Sequence, residues 1–280
     1  MAGPDVSDWQ TFLKSQGLFQ STVDGAFGPK SVQATQAYQQ KSGLTADGVV
    51  GPATMAKALS DGYRSTTGAN IAGLDTNTDC SSFIGGIPAE GMQFVVRYYS
   101  DFNSKVLTVA EAQKLSAAGI KIVAVFENSN NSAGLFSSTT GNSQAAKALE
   151  LAAAIGQPAG TAIYFAVDYD ASPADVAGPI SDYFKAIKAA LDAAPTQYVV
   201  GVYGSGLTCR VIRDAGLAKF TWLTGSTGFR EYSSFRPQAD MVQLSPQRKL
   251  FAGLNIDDDI AQRAEFGAFS VAQAAAAIPT

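Results

Sequence analysis

Histidine is absent from the 280 residues, and this absence excludes several classes of hydrolase. Without an imidazole the chain has no Ser-His-Asp or Cys-His nucleophile and none of the His-ligated zinc sites of peptidases and amidases. Cysteine is nearly absent too, and Cys80 and Cys209 alone are too few for a four-cysteine metal site. We interpret both as packing thiols, with a disulfide as the alternative. Carboxylates remain for acid–base chemistry, so we expect no metal and no cofactor.

Long apolar runs and basic clusters are also missing. No apolar run approaches the roughly 20 residues that a membrane-spanning helix needs, and residues 1–9 lack the basic and apolar regions of a secretory signal. The net charge of −4 and the pI near 4.9 argue against a nucleic-acid partner, because such binding depends on neutralising phosphates. We expect a monomeric globular protein, with 46% hydrophobic residues supporting one large and one small domain.

A short turn-and-helix motif occurs twice near the N-terminus, at residues 24–29 and 47–52. In each copy Asp-Gly favours a tight turn with a glycine at positive φ, and Gly-Pro favours a helix start with proline in its first turn. Short helical patterns follow over residues 31–40 and 54–59. Upstream, apolar residues recur every three or four positions and end at a glycine, which predicts a third helix over residues 6–17.

These residues resemble the three-helix peptidoglycan-binding domain family over residues 5–60. The motif is carried by Asp24-Gly25, Gly28-Pro29, Ser31, Ala34-Thr35, Tyr38-Gln39 and Gly43-Leu44. The resemblance implies a small all-α domain over residues 1–60 that binds cell-wall glycan, and the alternative is a helical spacer. Residues 61–70 are rich in Ser, Thr and Gly, which predicts a linker, and residues 71–280 would form a second domain.

The second domain alternates short β-like runs with helical stretches. Eight such runs in about 200 residues predict an α/β fold, a (β/α)8 TIM-type barrel of parallel strands. Some helices are expected to be reduced or missing, especially after strands six and seven. The predicted strands cover residues 71–75, 94–99, 120–127, 161–168, 198–203, 220–224, 241–244 and 254–257, with helices over 109–118, 143–155 and 173–193.

Polar and aromatic residues are expected at the ends of these strands. On strand four the apolar residues at 163, 165 and 167 should face the helices, which turns Asp168 into the barrel and carries Asp170 to the same side. Active sites of barrel enzymes lie at the carboxyl ends of the strands, and a ring of acids beside aromatic rings suits sugar hydrolysis. The other residues assigned to this ring are Asp75, Tyr99, Glu127, Tyr203, Trp222, Gln243 and Asp257.

Each of these assignments has a structural alternative. An Asp at a strand end often caps the following helix, although Ser172 already serves the helix after Asp168 and Asp170. Tyr203 and Trp222 could be packing residues of the upper barrel layer. Glu127 could equally be an exposed loop residue.

The strand-end sequences resemble a glycoside-hydrolase-like barrel family known as domain of unknown function 1906, over residues 70–268. That family is similar in turn to family 25 glycoside hydrolases, which are lysozymes that cut the bond between N-acetylmuramic acid and N-acetylglucosamine. The matching segments are Gly73-Leu74-Asp75, residues 164–170, Gly201-Val202-Tyr203 and Asn255-Ile256-Asp257. The resemblance implies that Asp75, Asp168, Asp170 and Asp257 form the catalytic set, with Asp170 where the lysozymes have a glutamate.

Both resemblances together imply a peptidoglycan-targeted glycoside hydrolase of the muramidase or endolysin type. Asp170 would protonate the leaving oxygen, Asp168 would stabilise charge at C1 or orient the substrate's acetamido group, and Asp75 and Asp257 would position sugar and water. Such a protein would act at the bacterial cell wall, delivered by phage lysis or a secretion system. The alternatives are a non-catalytic glycan-binding protein and a hydrolase of another polysaccharide.

Overall fold

The first part of the chain forms three short helices around a small aromatic core. The computed structural model describes residues 4–61, 63, 70–250 and 253–272. The helices are α1 (Pro4–Ser15), α2 (Pro29–Lys41) and α3 (Pro52–Ser60). α2 and α3 both begin at the proline of a Gly-Pro pair, as the repeated motif predicts. Their shared core contains Trp9, Phe12, Leu13, Phe19, Ala34, Tyr38, Ala58 and Tyr63. The predicted linker over residues 61–70 lies largely outside the described residues.

A buried glutamine holds each Asp-Gly turn. Gln39 Oε1 accepts a hydrogen bond from the Gly48 amide at 2.8 Å, and its Nε2 donates to Asp47 Oδ1 at 2.7 Å. Gln10 makes the same two kinds of bond to the turn at residues 24–25. Both turn glycines have left-handed φ values, 69° at residue 25 and 75° at residue 48. The sequence repeat is therefore a structural repeat, in which one side-chain amide satisfies each turn.

The second part of the chain is a closed eight-stranded barrel with its strands in sequence order, which confirms the predicted α/β barrel. Each observed strand overlaps its predicted counterpart. The strands are β1 (Ile71–Asp75), β2 (Phe94–Tyr99), β3 (Lys121–Phe126), β4 (Ala162–Ala166), β5 (Val199–Gly204), β6 (Phe220–Leu223), β7 (Met241–Lys249) and β8 (Asn255–Ala261).

The last strand corrects the prediction of an all-parallel sheet. β8 runs antiparallel to both neighbours, so that Ile71 pairs with Ala261 and Asp75 with Asp257. β7 is longer than predicted and reaches Lys249, which pairs with Asn255. The connection is consequently a hairpin, and a connection this short has no room for the crossover that a parallel pair requires.

The barrel helices are unequal in length. The helix before β4 and the helical region before β5 are long, whereas those before β2 and β7 have a single turn. Among the described residues no helix lies between β7 and β8, in keeping with the expected reduction. The helices are α4 (Gly86–Ala89), α5 (Val109–Ala117), α6 (Ser138–Ile155), α7 (Pro173–Asp175), which continues through a π-helical turn (Val176–Ile180) into α8 (Ser181–Ala193), α9 (Gly206–Asp214) and α10 (Tyr232–Phe235).

Two separate apolar layers follow from the alternation of side chains along the strands. On β4, Ile163 and Phe165 pack outward against the helices, whereas Tyr164 and Ala166 belong to the layer inside the barrel. Tyr164 donates its phenol proton to the backbone carbonyl of Phe266, whose ring belongs to the same inner layer, at 2.8 Å. The lower barrel is thus filled with side chains.

In the part of the chain that the structure describes, no helix is both long and apolar enough to cross a membrane.

A buried ion pair fixes the segment that follows β1. The Arg97 guanidinium donates to both carboxylate oxygens of Glu111, at 2.7 and 3.0 Å, and the two side chains are at most 1% exposed. Arg97 also donates to the Thr76 carbonyl, and Glu111 accepts from the Cys80 amide.

Cys80 and Cys209 are both free and buried, as the packing interpretation expects.

Candidate active site

A cavity of about 330 Å³ opens at the carboxyl ends of the parallel strands. It contains four acidic side chains, three aromatic or amide side chains predicted at strand ends, and several loop residues. The lining residues are Asp75, Tyr98, Val125, Glu127, Asp168, Tyr203, Trp222, Thr224, Gly225, Ser226, Gln243, Leu244 and Asp257. The structure therefore brings together seven of the residues that strand alternation assigns to this mouth.

Glu127 is the acid best placed to exchange a proton with a ligand. It follows β3 directly, and its amide donates to the Tyr99 carbonyl at 3.0 Å, which continues the sheet by one residue. Burial raises the pKa of its carboxyl to about 7, with a smaller opposing effect from Lys105. Within the described ranges its carboxylate makes no hydrogen bond. A half-buried acid with this pKa can hold a proton near neutral pH and release it to a bound substrate.

Asp168 stands on the neighbouring strand connection, at the solvent-exposed side of the cavity. Its position is set by Asn130, whose carbonyl accepts the Asp168 amide at 2.8 Å and whose side-chain amide donates to the Ala166 carbonyl at 2.8 Å. Asn130 is buried and has a φ of 27°, in the left-handed region that non-glycine residues seldom occupy. Such strain persists where the surroundings fix it, and it is typical of functional sites. Burial raises the pKa of Asp168, and Lys105 opposes that shift.

Asp75 is held on both of its carboxylate oxygens. Tyr98 donates to Oδ1 at 3.3 Å and Gln243 donates to Oδ2 at 2.8 Å, while the Tyr203 hydroxyl donates to the Gln243 side-chain oxygen at 2.8 Å. Asp75 is only 3% exposed. Burial is the main cause of its raised pKa, and the nearby Asp257 adds to it. These contacts make Asp75 a fixed acceptor in the cavity floor.

The reversed β8 contributes two inward acids. Asp257 lies at the mouth, half-buried, and burial raises its pKa. Asp259 lies deeper, where its Oδ1 accepts the Trp222 indole proton at 2.8 Å and its Oδ2 has no hydrogen-bond partner among the described residues. Sequence reasoning missed Asp259, although the alternation that selects Asp257 also selects the residue two positions later. Trp222 is consequently a buried floor residue, packed against the Tyr203 ring with centroids 4.5 Å apart.

The assignment of Tyr99 to this site is wrong. Its side chain points out of the barrel, is fully buried under the helices and donates to Gln157 Oε1 at 2.7 Å. Tyr98, one position earlier, faces the cavity instead. The last residue of a strand faces inward or outward according to its position in the alternation, and on β2 the terminal residue faces outward.

Asp170 also lies outside the cavity lining, contrary to its assignment to the ring of strand-end acids. β4 ends at Ala166, and the chain then turns, with the Ala171 amide donating to the Tyr169 carbonyl at 2.8 Å. The strand alternation therefore does not extend to residue 170. The Asp170 carboxylate instead accepts hydrogen bonds from the Arg230 amide at 2.8 Å and from its guanidinium at 2.6 Å. This ion pair joins the connection after β4 to the loop after β6, whose residues Gly225 and Ser226 line the cavity.

For the glycan cleavage that the sequence resemblance implies, we expect Asp170→Asn to change the rate by less than about tenfold, because exposed ion pairs contribute little and the side chain does not reach the cavity. Initial rates of reducing-end release from purified peptidoglycan, together with thermal melts, measure this. Asp182→Asn, which removes the acid of another exposed ion pair with Lys185, is the matched control. A loss of 100-fold or more with an unchanged melting temperature would restore Asp170 as the acid.

Hydrogen-bonding side chains make up most of the cavity lining. Across the described ranges, no three His, Cys, Asp or Glu side chains are arranged to bind a metal ion. Four carboxyl groups with raised pKa values are distributed around the mouth and floor. This arrangement can donate and accept protons and can hydrogen-bond sugar hydroxyls.

Two family models match the chain. Residues 86–261 match the family described as "Rv2525c-like, glycoside hydrolase-like domain". The chain belongs to this glycoside hydrolase-like family. Residues 2–58 match the family described as "Putative peptidoglycan binding domain", which accords with the three helices and their two glutamine-held turns.

Individual proteins are similar to the chain over most of its length. The chain is 31% identical to YbfG of Bacillus subtilis over 236 residues, which are 80% of this chain but only 32% of YbfG. It is 25% identical over 190 residues to the Mycobacterium tuberculosis protein named "Putative peptidoglycan hydrolase Rv2525c", covering 65% of this chain and 77% of that protein. The crystal structure of Tat-secreted Rv2525c with L-tartrate has the same fold, with a TM-score of 0.61 at 23% identity over 72% of this chain and 99% of that one.

Proposed function

We propose that the protein is a glycoside hydrolase of bacterial peptidoglycan that cleaves the bond between N-acetylmuramic acid and N-acetylglucosamine. One observation carries the proposal. The half-buried carboxyl of Glu127 makes no hydrogen bond to the described residues, and its pKa is raised to about 7. It shares a cavity with three further carboxyl groups. Hydrolysis of a glycosidic bond usually uses a protonated acid on one side of the scissile bond and a second carboxylate on the other. Membership in the glycoside hydrolase-like family supports this chemistry.

Glu127 would protonate the leaving oxygen, in place of Asp170. Asp168 would supply the second carboxylate, either stabilising the positive charge that develops at C1 or orienting the acetamido group of the substrate. Asp168 is more exposed at the mouth than Glu127. Because burial disfavours the charged form of a carboxyl, Asp168 is the better candidate for the ionised group. Asp257 would position sugar and water at the rim.

The cavity floor would hold the sugar ring in place. Asp75, locked between Tyr98 and Gln243, presents a fixed acceptor. Tyr203 and Trp222 lie in the floor beside it and can contact an apolar sugar face. Preorganised groups of this kind favour the transition state because they need not reorganise as charge develops.

The N-terminal helices would deliver this cavity to the cell wall. They have their own aromatic core, and their match to a peptidoglycan binding family supports a targeting role. The name of the mycobacterial relative, "Putative peptidoglycan hydrolase Rv2525c", supports the same polymer as the target. We place residues 1–60 as the targeting domain and residues 71–280 as the barrel domain.

Two measurements test this function. The full chain should release fragments from purified peptidoglycan, and mass spectrometry should find new reducing ends on N-acetylmuramic acid. Residues 1–62 expressed alone should fold as helices and sediment with insoluble peptidoglycan, because their core is local. New reducing ends on N-acetylglucosamine would contradict the bond assignment, and a fragment that stays in the supernatant while the full chain sediments would contradict the targeting role.

A non-catalytic glycan-binding protein is the second candidate. It is favoured by the ion pair that occupies Asp170, since that position carries the acid in the lysozymes that the barrel resembles. In this case the full chain would sediment with peptidoglycan and release no fragments between pH 4 and pH 8.

A further inference from the structure

A lysine ammonium group lies beside Tyr98, one of the residues that line the acidic cavity. Lys105 ends the short 3-10 turn that follows β2. Its Nζ lies 4.8 Å from the centroid of the Tyr98 ring, which lines the cavity. The same atom donates a hydrogen bond to the Asn128 carbonyl at 3.3 Å.

The surroundings fix this carbonyl in place. The Asn128 side chain accepts from the Ser100 hydroxyl at 2.9 Å and donates to Asp101 Oδ2 at 2.7 Å, so the connections after β2 and β3 are joined beside Glu127. The Lys105 ammonium is thereby held by a ring face and a backbone carbonyl on one side of the cavity mouth. Attraction between an ammonium and an aromatic face holds the stem in this position without neutralising its charge.

Lys105 has no ion-pair partner among the residues that the structure describes. An ammonium group has three protons to donate, and the Asn128 carbonyl takes one of them. Lys105 is only half exposed and still lacks a carboxylate. It is nevertheless close enough to Glu127 and Asp168 to oppose the rise in their pKa values. Its charge therefore acts on the same space that a bound sugar would occupy.

The charge balance of the site limits what it can bind. Asp168 and Asp257 at the mouth, in their ionised forms, would repel a substrate carboxylate that had no cation to meet it. A neutral glycan would need no such cation. A half-buried ammonium with two unused protons is the group that an anionic glycan requires at this mouth.

We propose that Lys105 binds a carboxylate of the substrate and so selects glycans that carry a carboxylate beside the cleaved sugar over neutral glycans. The inference rests on the proposed function, because it assigns the substrate class of the same cavity. In peptidoglycan the carboxylate could belong to the lactyl group of a muramic acid without a peptide or to the peptide stem. The chemistry that Lys105 recognises is the same in both cases.

Binding is the appropriate test, because it gives a result whether or not the barrel cleaves. The full chain carrying Glu127→Gln is titrated calorimetrically with a peptide-free N-acetylglucosamine–N-acetylmuramic acid tetrasaccharide and with the same tetrasaccharide after its carboxylates are converted to amides. Lys105→Gln and Lys105→Arg are compared in this background. The N-terminal helices are identical in every variant, so their contribution cancels in the ratio of the two affinities.

We expect the protein with Lys105 to bind the carboxylate form about tenfold more tightly than the amide form, as a charge-assisted hydrogen bond implies. Lys105→Gln should remove this preference, and Lys105→Arg should keep part of it. A third ligand, the peptide-bearing tetrasaccharide, separates the sources: a preference confined to it assigns the carboxylate to the stem, and Lys105 still carries the selection.

Three results would overturn the inference. The first is equal affinity, in the presence of Lys105, for the amide form and for both ligands that carry carboxylates. The second is a preference that survives Lys105→Gln. The third is an equal loss of affinity for both forms in Lys105→Gln, which would show that the lysine supports the rim rather than the ligand. Failure of the proposed function gives a different pattern, since a non-catalytic protein releases no fragments from peptidoglycan but can still show the Lys105-dependent preference.

Discussion

Glu127→Gln is expected to lower the rate of fragment release from peptidoglycan by about 100-fold or more at pH 6. The amide keeps the size of the side chain and loses the proton that would be given to the leaving oxygen, and general acid catalysis usually contributes 100- to 10,000-fold. Reducing-end assays on purified peptidoglycan measure the rate. A variant that retains more than a tenth of the wild-type rate would show that Glu127 is not the acid, and Asp75 would be the next candidate.

The pH dependence gives an independent check on the same residue. Because the acid must be protonated, the wild-type rate should fall as the pH rises through about 7, the pKa of Glu127, and this limb should be missing from the residual rate of the variant. The raised pKa also means that folding favours the protonated carboxyl. The stability that this preference contributes is fully present below the ordinary value of 4.5 and is lost as the pH rises through about 7. Glu127→Gln should therefore melt no lower than wild type at pH 8, which also shows that the variant is folded.

Glu111→Gln is expected to destabilise the barrel by about 3–5 kcal/mol, the usual cost of removing one partner of a buried ion pair. The Arg97 guanidinium would remain buried without a counter-charge, since both side chains are at most 1% exposed. The variant also weakens the acceptor of the Cys80 amide. Urea unfolding monitored by far-ultraviolet circular dichroism gives the free energy of unfolding.

Glu150→Gln is the matched control, because it breaks an exposed pair with Lys147 that should contribute no more than about 1 kcal/mol. Equal effects of the two substitutions would mean that the buried pair is not important for stability. Activity should also decline in Glu111→Gln at temperatures where the variant remains folded, because Arg97 holds the carbonyl of Thr76, the neighbour of Asp75.

Alternation along the strands predicted much of the fold and most of the cavity. The apolar outward set on β4 correctly turned Asp168 inward, and the same rule brought Asp75, Glu127 and Asp257 to one mouth. These residues lie within two positions of an observed strand, where the two-residue period still operates. The Gly-Pro pairs predicted the starts of α2 and α3 for a similar reason, because proline position is a local property of the backbone.

The failures occur where local rules stop applying. Asp170 lies four residues beyond β4, after a turn that no periodicity encodes, and its partner Arg230 is distant in sequence. Tyr99 was assigned to the mouth because it ends β2, although the alternation along that strand turns Tyr98 rather than Tyr99 into the barrel. The antiparallel direction of β8 was missed because composition does not distinguish parallel from antiparallel strands. The direction depends instead on whether a helix connects β7 to β8. Lys105 and Asn130 are loop residues whose roles come entirely from tertiary contacts.

The antiparallel closure of the barrel has a consequence for how the chain folds. β8 is the partner of both β1 and β7, so each of these strands has an unpaired edge until residues 255–261 dock between them. Unpaired strand edges are templates for association with other chains. The pairing of Ile71 with Ala261 also joins residues that are far apart in the sequence. Contacts of such long range slow folding. Docking of the closing hairpin is therefore the folding step that converts an aggregation-prone intermediate into a monomeric barrel. A chain interrupted before residue 255 would lack the strand that closes this barrel.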